Sequence, residues 1–143
     1  METSRLAPIG TAFLELLQTR WPEFTQHASV DECGSLVVTV PSPHGSDGAV
    51  LWLSADADSD EVIVAFGGGH SHGGPWLQLG DLDYQFQASA RLIDDVLVER
   101  VVGCTIGAGG GALGSLDQLR CASWWRDVRA IRSWRGTHDW DDA

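Results

Sequence analysis

The sequence predicts an α+β fold, a single domain over residues 1–143 with an antiparallel sheet of about five strands and two main helices packed on it. Two observations carry this. Apolar residues recur at three- and four-residue steps near the start of the chain and again after residue 80. Between and after these stretches come short β-branched runs bounded by Pro, Gly and Asp, arriving in sets rather than alternating singly with helices.

The first helix is marked by Leu6, Ile9, Phe13, Leu16, Leu17 and Trp21 within Ser4 to Trp21. Pro8 suits its first turn, and Pro22 ends it because the residue before a proline avoids the helical region. Strands are predicted at Leu36–Val40, stopped by Pro41 and Pro43, then at Ala49–Ser54 and Glu61–Phe66. The last is apolar on both faces, as a doubly covered central strand should be. The polar run Ala55 to Asp60 reads as the hairpin turn before it. Asp81 to Val101 is the second helix, with Leu82, Phe86, Ala90, Ile93 and Leu97 as its buried stripe and Arg91 placed to pair with Asp95. A strand over Val101–Ile106 follows, then a flexible glycine-rich loop, Gly107 to Gly114. Leu116 to Trp125 suits a helix or an edge strand, and Arg129 to Arg135 a final strand.

Composition narrows the function. The net charge of −11 lies wholly in residues 1–115, with fifteen acids against four arginines; residues 116–143 balance at five each. Such a body repels phosphate backbones and favours a basic protein partner, so no nucleic-acid partner is expected. No apolar run nears the ~20 residues that cross a bilayer, and the first residues lack the pattern of a signal peptide; no membrane association and a cytoplasmic location are expected. Cys33, Cys104 and Cys121 form no C-x-x-C pair, which excludes a zinc ribbon.

Four motifs bear on chemistry. His70-Ser71-His72 follows the Glu61–Phe66 strand through Gly67-Gly68-Gly69, and if the strand continues, both imidazoles lie on one face. They would then offer half a zinc site or a general-base pair, with His44, Asp56, His27 or His138 to complete it; the competing reading is a solvent-facing glycine loop. Asp56-x-Asp58-x-Asp60 resembles the start of a calcium loop but has Glu61 in place of the sixth-position glycine and Gly67 in place of the twelfth-position glutamate. An acidic knob or a solvated turn is left. Gly109-x-Gly111-x-x-Gly114 matches the dinucleotide fingerprint in form only, since no opening βαβ unit surrounds it. Trp124, Trp125, Trp134 and Trp140 interleave with Arg126, Arg129, Arg132 and Arg135, either as interface anchors or as core indoles with arginines outside.

Two segments, Phe66-Gly67-Gly68-Gly69-His70-Ser71-His72 and Ile131-Arg132-Ser133-Trp134-Arg135-Gly136-Thr137-His138-Asp139, sit in a pattern that opens with a helix and has another after the histidines. From Ala49 to Asp139 this pattern resembles small acidic bacterial immunity proteins of polymorphic toxin systems, although Gly107–Gly114 is richer in glycine than the pattern. The resemblance implies a chain that binds and inhibits a cognate toxin enzyme, a basic domain, without catalysis or cofactor of its own. Asp56, Asp58, Asp60 and Glu61 are the acids expected to meet it, with Trp76 or Trp140 as anchors. The alternatives are a small metal-dependent hydrolase centred on His70 and His72, with zinc as cofactor, and an oligomer joined through the tryptophan-rich tail.

Overall fold

A computed structural model of the chain describes residues 1–72 and 82–142. Helix α1 (Pro8–Arg20) begins on its proline, and Trp21 donates its N–H to the Leu17 carbonyl as the chain leaves it. Pro22 starts a 3-10 stretch to His27, which leads into β1 (Ala28–Val30) and β2 (Leu36–Pro41). Strands β3 (Val50–Asp56) and β4 (Glu61–Phe66) match the predicted runs to within two residues at either end. The histidine segment continues as β5 (Gly69–His72). Helix α2 (Leu82–Leu97), β6 (Val102–Ile106), β7 (Gly110–Gly114), α3 (Leu116–Arg120), β8 (Val128–Arg132) and β9 (Trp140–Asp141) follow.

The fold class is α+β with antiparallel pairing, but the strands divide into two sheets rather than one. The first is a meander in the order β1-β2-β3-β4-β5; the second has the order β7-β6-β8-β9. Its pairs are Val102↔Gly114 through Ile106↔Gly110 on one side of β6 and Gly103↔Arg132 through Ile106↔Val128 on the other. The segment read as a flexible glycine loop is therefore a hairpin strand. The physical reason is the missing side chains. A Cβ at Gly111 would overlap the Gly68 carbonyl oxygen, and one at Gly69 would overlap the Ala112 carbonyl. Only glycine lets these two backbones lie against each other.

By their internal packing the described residues fall into two compact units, each assembled from separate stretches. One draws on Met1–Val40, Trp52–Val64 and His72–Ala90, the other on Pro41–Leu51, Ala65–Ser71 and Arg91–Ala143. In the first, Ile9, Phe13 and Leu17 of α1 are buried, as are Leu36 and Val38 of β2. Gly10 brings α1 close to β2, since a Cβ there would meet Leu36 Cβ at 3.5 Å. The Phe13 and Phe86 rings lie 5.8 Å apart. In the second unit Val102, Cys104, Leu119, Val128 and Ile131 form a core, and Phe66 packs on Trp134 with ring centres 6.0 Å apart.

Helix α2 departs from its predicted stripe. Ala90 and Ile93 are buried as expected, but Leu82 is exposed, and Gln85, Ser89 and Val96 are buried beside them. Gln85 earns its burial with hydrogen bonds, its Oε1 accepting from Val62 N at 3.1 Å and its Nε2 donating to the Asp60 carbonyl at 3.4 Å. Asp95 lies 3.5 Å from Arg100 beyond the helix end, not in the expected pair with Arg91. Of the ambiguous stretch Leu116 to Trp125, only Leu116–Arg120 is α-helical, started by the reciprocal capping box of Ser115 and Gln118. Among the described residues no helix is long and apolar enough to cross a membrane.

Candidate functional site

Two turns of the first unit gather its acids. In the β1–β2 turn, Asp31 Oδ1 accepts from the backbone N–H of Cys33 and of Ser35, both at 2.9 Å. In the β3–β4 turn, Asp56 Oδ1 accepts from Asp58 N at 2.8 Å and Ser59 N at 3.3 Å, and Asp60 closes the turn with φ +54°. Aspartate is suited to both roles because its short carboxylate satisfies its own turn and tolerates the left-handed region. Ser35 Oγ accepts from Ala57 N at 2.9 Å and ties the turns together. The exposed Cys33 thiol reports the outcome: it is pushed above the usual thiol range by Asp58 first, then Asp31, with a small contribution from burial and then Glu32 and Asp56.

Of the four acids expected at a partner surface, Asp58 and Asp60 are exposed and Asp56 is half-buried. Glu61 does not belong with them. It is buried, and its Oε1 lies 3.0 Å from Nδ1 of His72. It opens β4 and lies within the sheet rather than in the turn, and its Oε2 is buried without a hydrogen-bond partner among the described residues. Asp31 and Glu32 were missed by sequence reasoning. The signal for them is strand counting: in a meander, the first and third turns fall at the same end of the sheet. The three-residue β1 is too short to be read from its pattern.

His70 and His72 do sit two apart on a strand, with His70 exposed and His72 half-buried. Among the described residues no group of three or more His, Cys, Asp or Glu side chains is arranged to hold a metal ion. His44, one of the residues considered for completing a site, has its Nε2 4.0 Å from Asp139 Oδ2 instead. Trp76 lies outside the described residues.

The second unit carries a different surface. Asp139 Oδ1 accepts from Ser133 N at 2.8 Å and its Oδ2 from Ser46 Oγ at 2.7 Å. Burial opposes its charge, but these bonds and the Arg132 guanidinium hold its carboxyl below the usual range. Glu99, at φ +63°, accepts at Oε1 from Arg135 N at 2.6 Å and is likewise lowered against a burial penalty, by Thr137, Arg135 and Ser133. Arg132 donates to the Asp47 carbonyl at 2.6 Å and to Asp141 at 2.7 Å. Together these contacts clasp residues 133–141 and leave Trp140 46% exposed. The tryptophans thus divide: Trp134 is buried, and Trp140 stands at the mouth of a cavity of about 650 Å³ floored by Val128 and Ile131 and rimmed by Arg120 and Arg126.

Comparison of the chain with protein-family models, with curated proteins and with solved structures finds no match.

Proposed function

We propose that this protein is a binding module of the immunity type, which engages a basic toxin domain through the acidic end of its five-stranded sheet and blocks it. The observation that carries the reading is that the turns holding Asp31 and Glu32 and holding Asp56 and Asp58 are tied together by the Ala57 N–H to Ser35 Oγ bond, which brings these four acids to one end of the sheet. Clustered like charges cost the fold energy, and a basic partner repays that cost on binding. Asp31 and Asp56 each use one oxygen to hold a turn, while Glu32 and Asp58 are exposed. Together with the exposed Asp60 they are the carboxylates placed to pair with arginines or lysines of a partner, where they would occupy the groove that a nuclease keeps for phosphates.

The test is capture from host lysate on the tagged protein at low and at high salt, beside a Glu32→Lys/Asp58→Lys variant whose net charge falls from −11 to −7. The expected result is one partner with a basic domain, held at near-equal stoichiometry, weakened by salt and lost from the variant. Co-expression with that partner should then spare cells from its toxicity. Equal capture by both proteins, or no salt-sensitive basic partner at all, would sink the reading.

A further inference from the structure

The acidic turns leave the cavity of the second unit without a role. From its lining we infer that it binds a small aromatic carboxylate, a function separate from the protein partner proposed above and not resting on it.

The floor is apolar and rigid. Val128 and Ile131 are 5% and 6% exposed and belong to the core of the second unit, and Leu116 and Trp125 pack on that core. Trp140, nearly half exposed, stands on the open side. Two indoles facing one space of about 650 Å³ suit a flat, polarisable ligand, and the volume falls within the ~300–1,000 Å³ of small-molecule sites.

The charge at the rim selects an anion. Arg100, Arg129 and Arg132 each lie within 3.5 Å of an aspartate. Arg120 and Arg126 make no ion pair or hydrogen bond among the described residues, yet both line the cavity. A guanidinium offers a planar fork that matches a carboxylate, and it is more weakly hydrated than an ammonium, so the exposed Arg120 and Arg126 lose less water on pairing with an anion than lysines would. The one acid in the lining, Asp139, does not fill this role, because Ser133 and Ser46 already occupy its two oxygens. An apolar floor, aromatic walls and a cationic rim therefore describe a ligand with an aromatic body and a carboxylate at one end.

The test uses 2-naphthoate and its neutral isostere 2-naphthamide as probes, with affinity read by calorimetry and the site by chemical-shift changes at the Trp125 and Trp140 indole N–H groups. The acid should bind at least about tenfold more tightly than the amide, as one charge-assisted hydrogen bond requires. Arg120→Gln/Arg126→Gln should bring the acid to the level of the amide. Trp140→Ala, at an exposed position that does not support the core, should weaken both. The inference is overturned if acid and amide bind alike, if the arginine variant retains the preference, if the shifts fall outside the cavity, or if no binding is seen with millimolar probe.

Discussion

Replacing Gly103 by alanine tests the backbone contact on which the second unit is built. A Cβ at this position would overlap the Phe66 carbonyl oxygen and lie 2.7 Å from its carbonyl carbon and 2.8 Å from Gly67 Cα, where ordinary contact begins at 3.4 Å. All three neighbours are backbone, so no rotamer change relieves the clash and β6 must move away from the Phe66–Gly67 chain. Overpacking of this kind costs about 3 kcal/mol at the upper end of its range. Alanine also lowers the entropy of the unfolded chain, which offsets about 0.5–1 kcal/mol. The net loss is about 2–2.5 kcal/mol. With a urea m-value of about 2 kcal/mol/M, the midpoint falls by about 1 M, read by tryptophan fluorescence. Gly109→Ala is the control: nothing lies within 4 Å of its Cβ position, and the expected change is within about 0.5 kcal/mol of zero. If Gly103→Ala is as mild as Gly109→Ala, the close approach does not exist.

Three more outcomes follow from the described contacts. Cys33 should alkylate slowly with iodoacetamide at pH 8, and Asp58→Asn or added salt should speed it, because each weakens the field that holds the thiol protonated; no change in rate would separate the two turns. Asp139 and Glu99 are lowered from reference values of 3.8 and 4.5, so their contribution to stability is complete above those values and is lost as pH falls through the lower folded values. A thermal-melt series across this acid range should show that loss, flattened by Asp139→Asn; an unchanged acid limb in the variant would contradict the assignment. His72→Ala leaves the buried Glu61 carboxylate without its imidazole and should cost about 1–3 kcal/mol, less when Glu61→Gln is made in the same chain. A strictly additive double-mutant cycle in chemical unfolding would show that the two side chains do not interact.

Much of this molecule is legible without coordinates. Pro8 and Pro22 bracket α1 because proline acts through the local backbone, and the β-branched runs of β2, β3 and β4 declare themselves by their own composition. The acidic character of the β3–β4 turn is visible in the spacing of Asp56, Asp58 and Asp60 for the same reason. Helix α2 is legible as a helix and in Ala90 and Ile93 of its buried face, but not in Gln85, which is buried through bonds to Val62 and Asp60, distant in sequence.

Local chemistry along the chain thus determined helices α1 and α2, strands β2, β3, β4 and β6, their order, and the acidity of the β3–β4 turn. Only the tertiary structure decided that Asp31 and Glu32 join Asp58 around Cys33, that Glu61 leaves the surface to meet His72, and that Gly110–Gly114 is a strand rather than a loop. Periodicity reports which way a residue faces about its own strand or helix axis. It carries no information about which other backbone lies opposite, and each of these features depends on that.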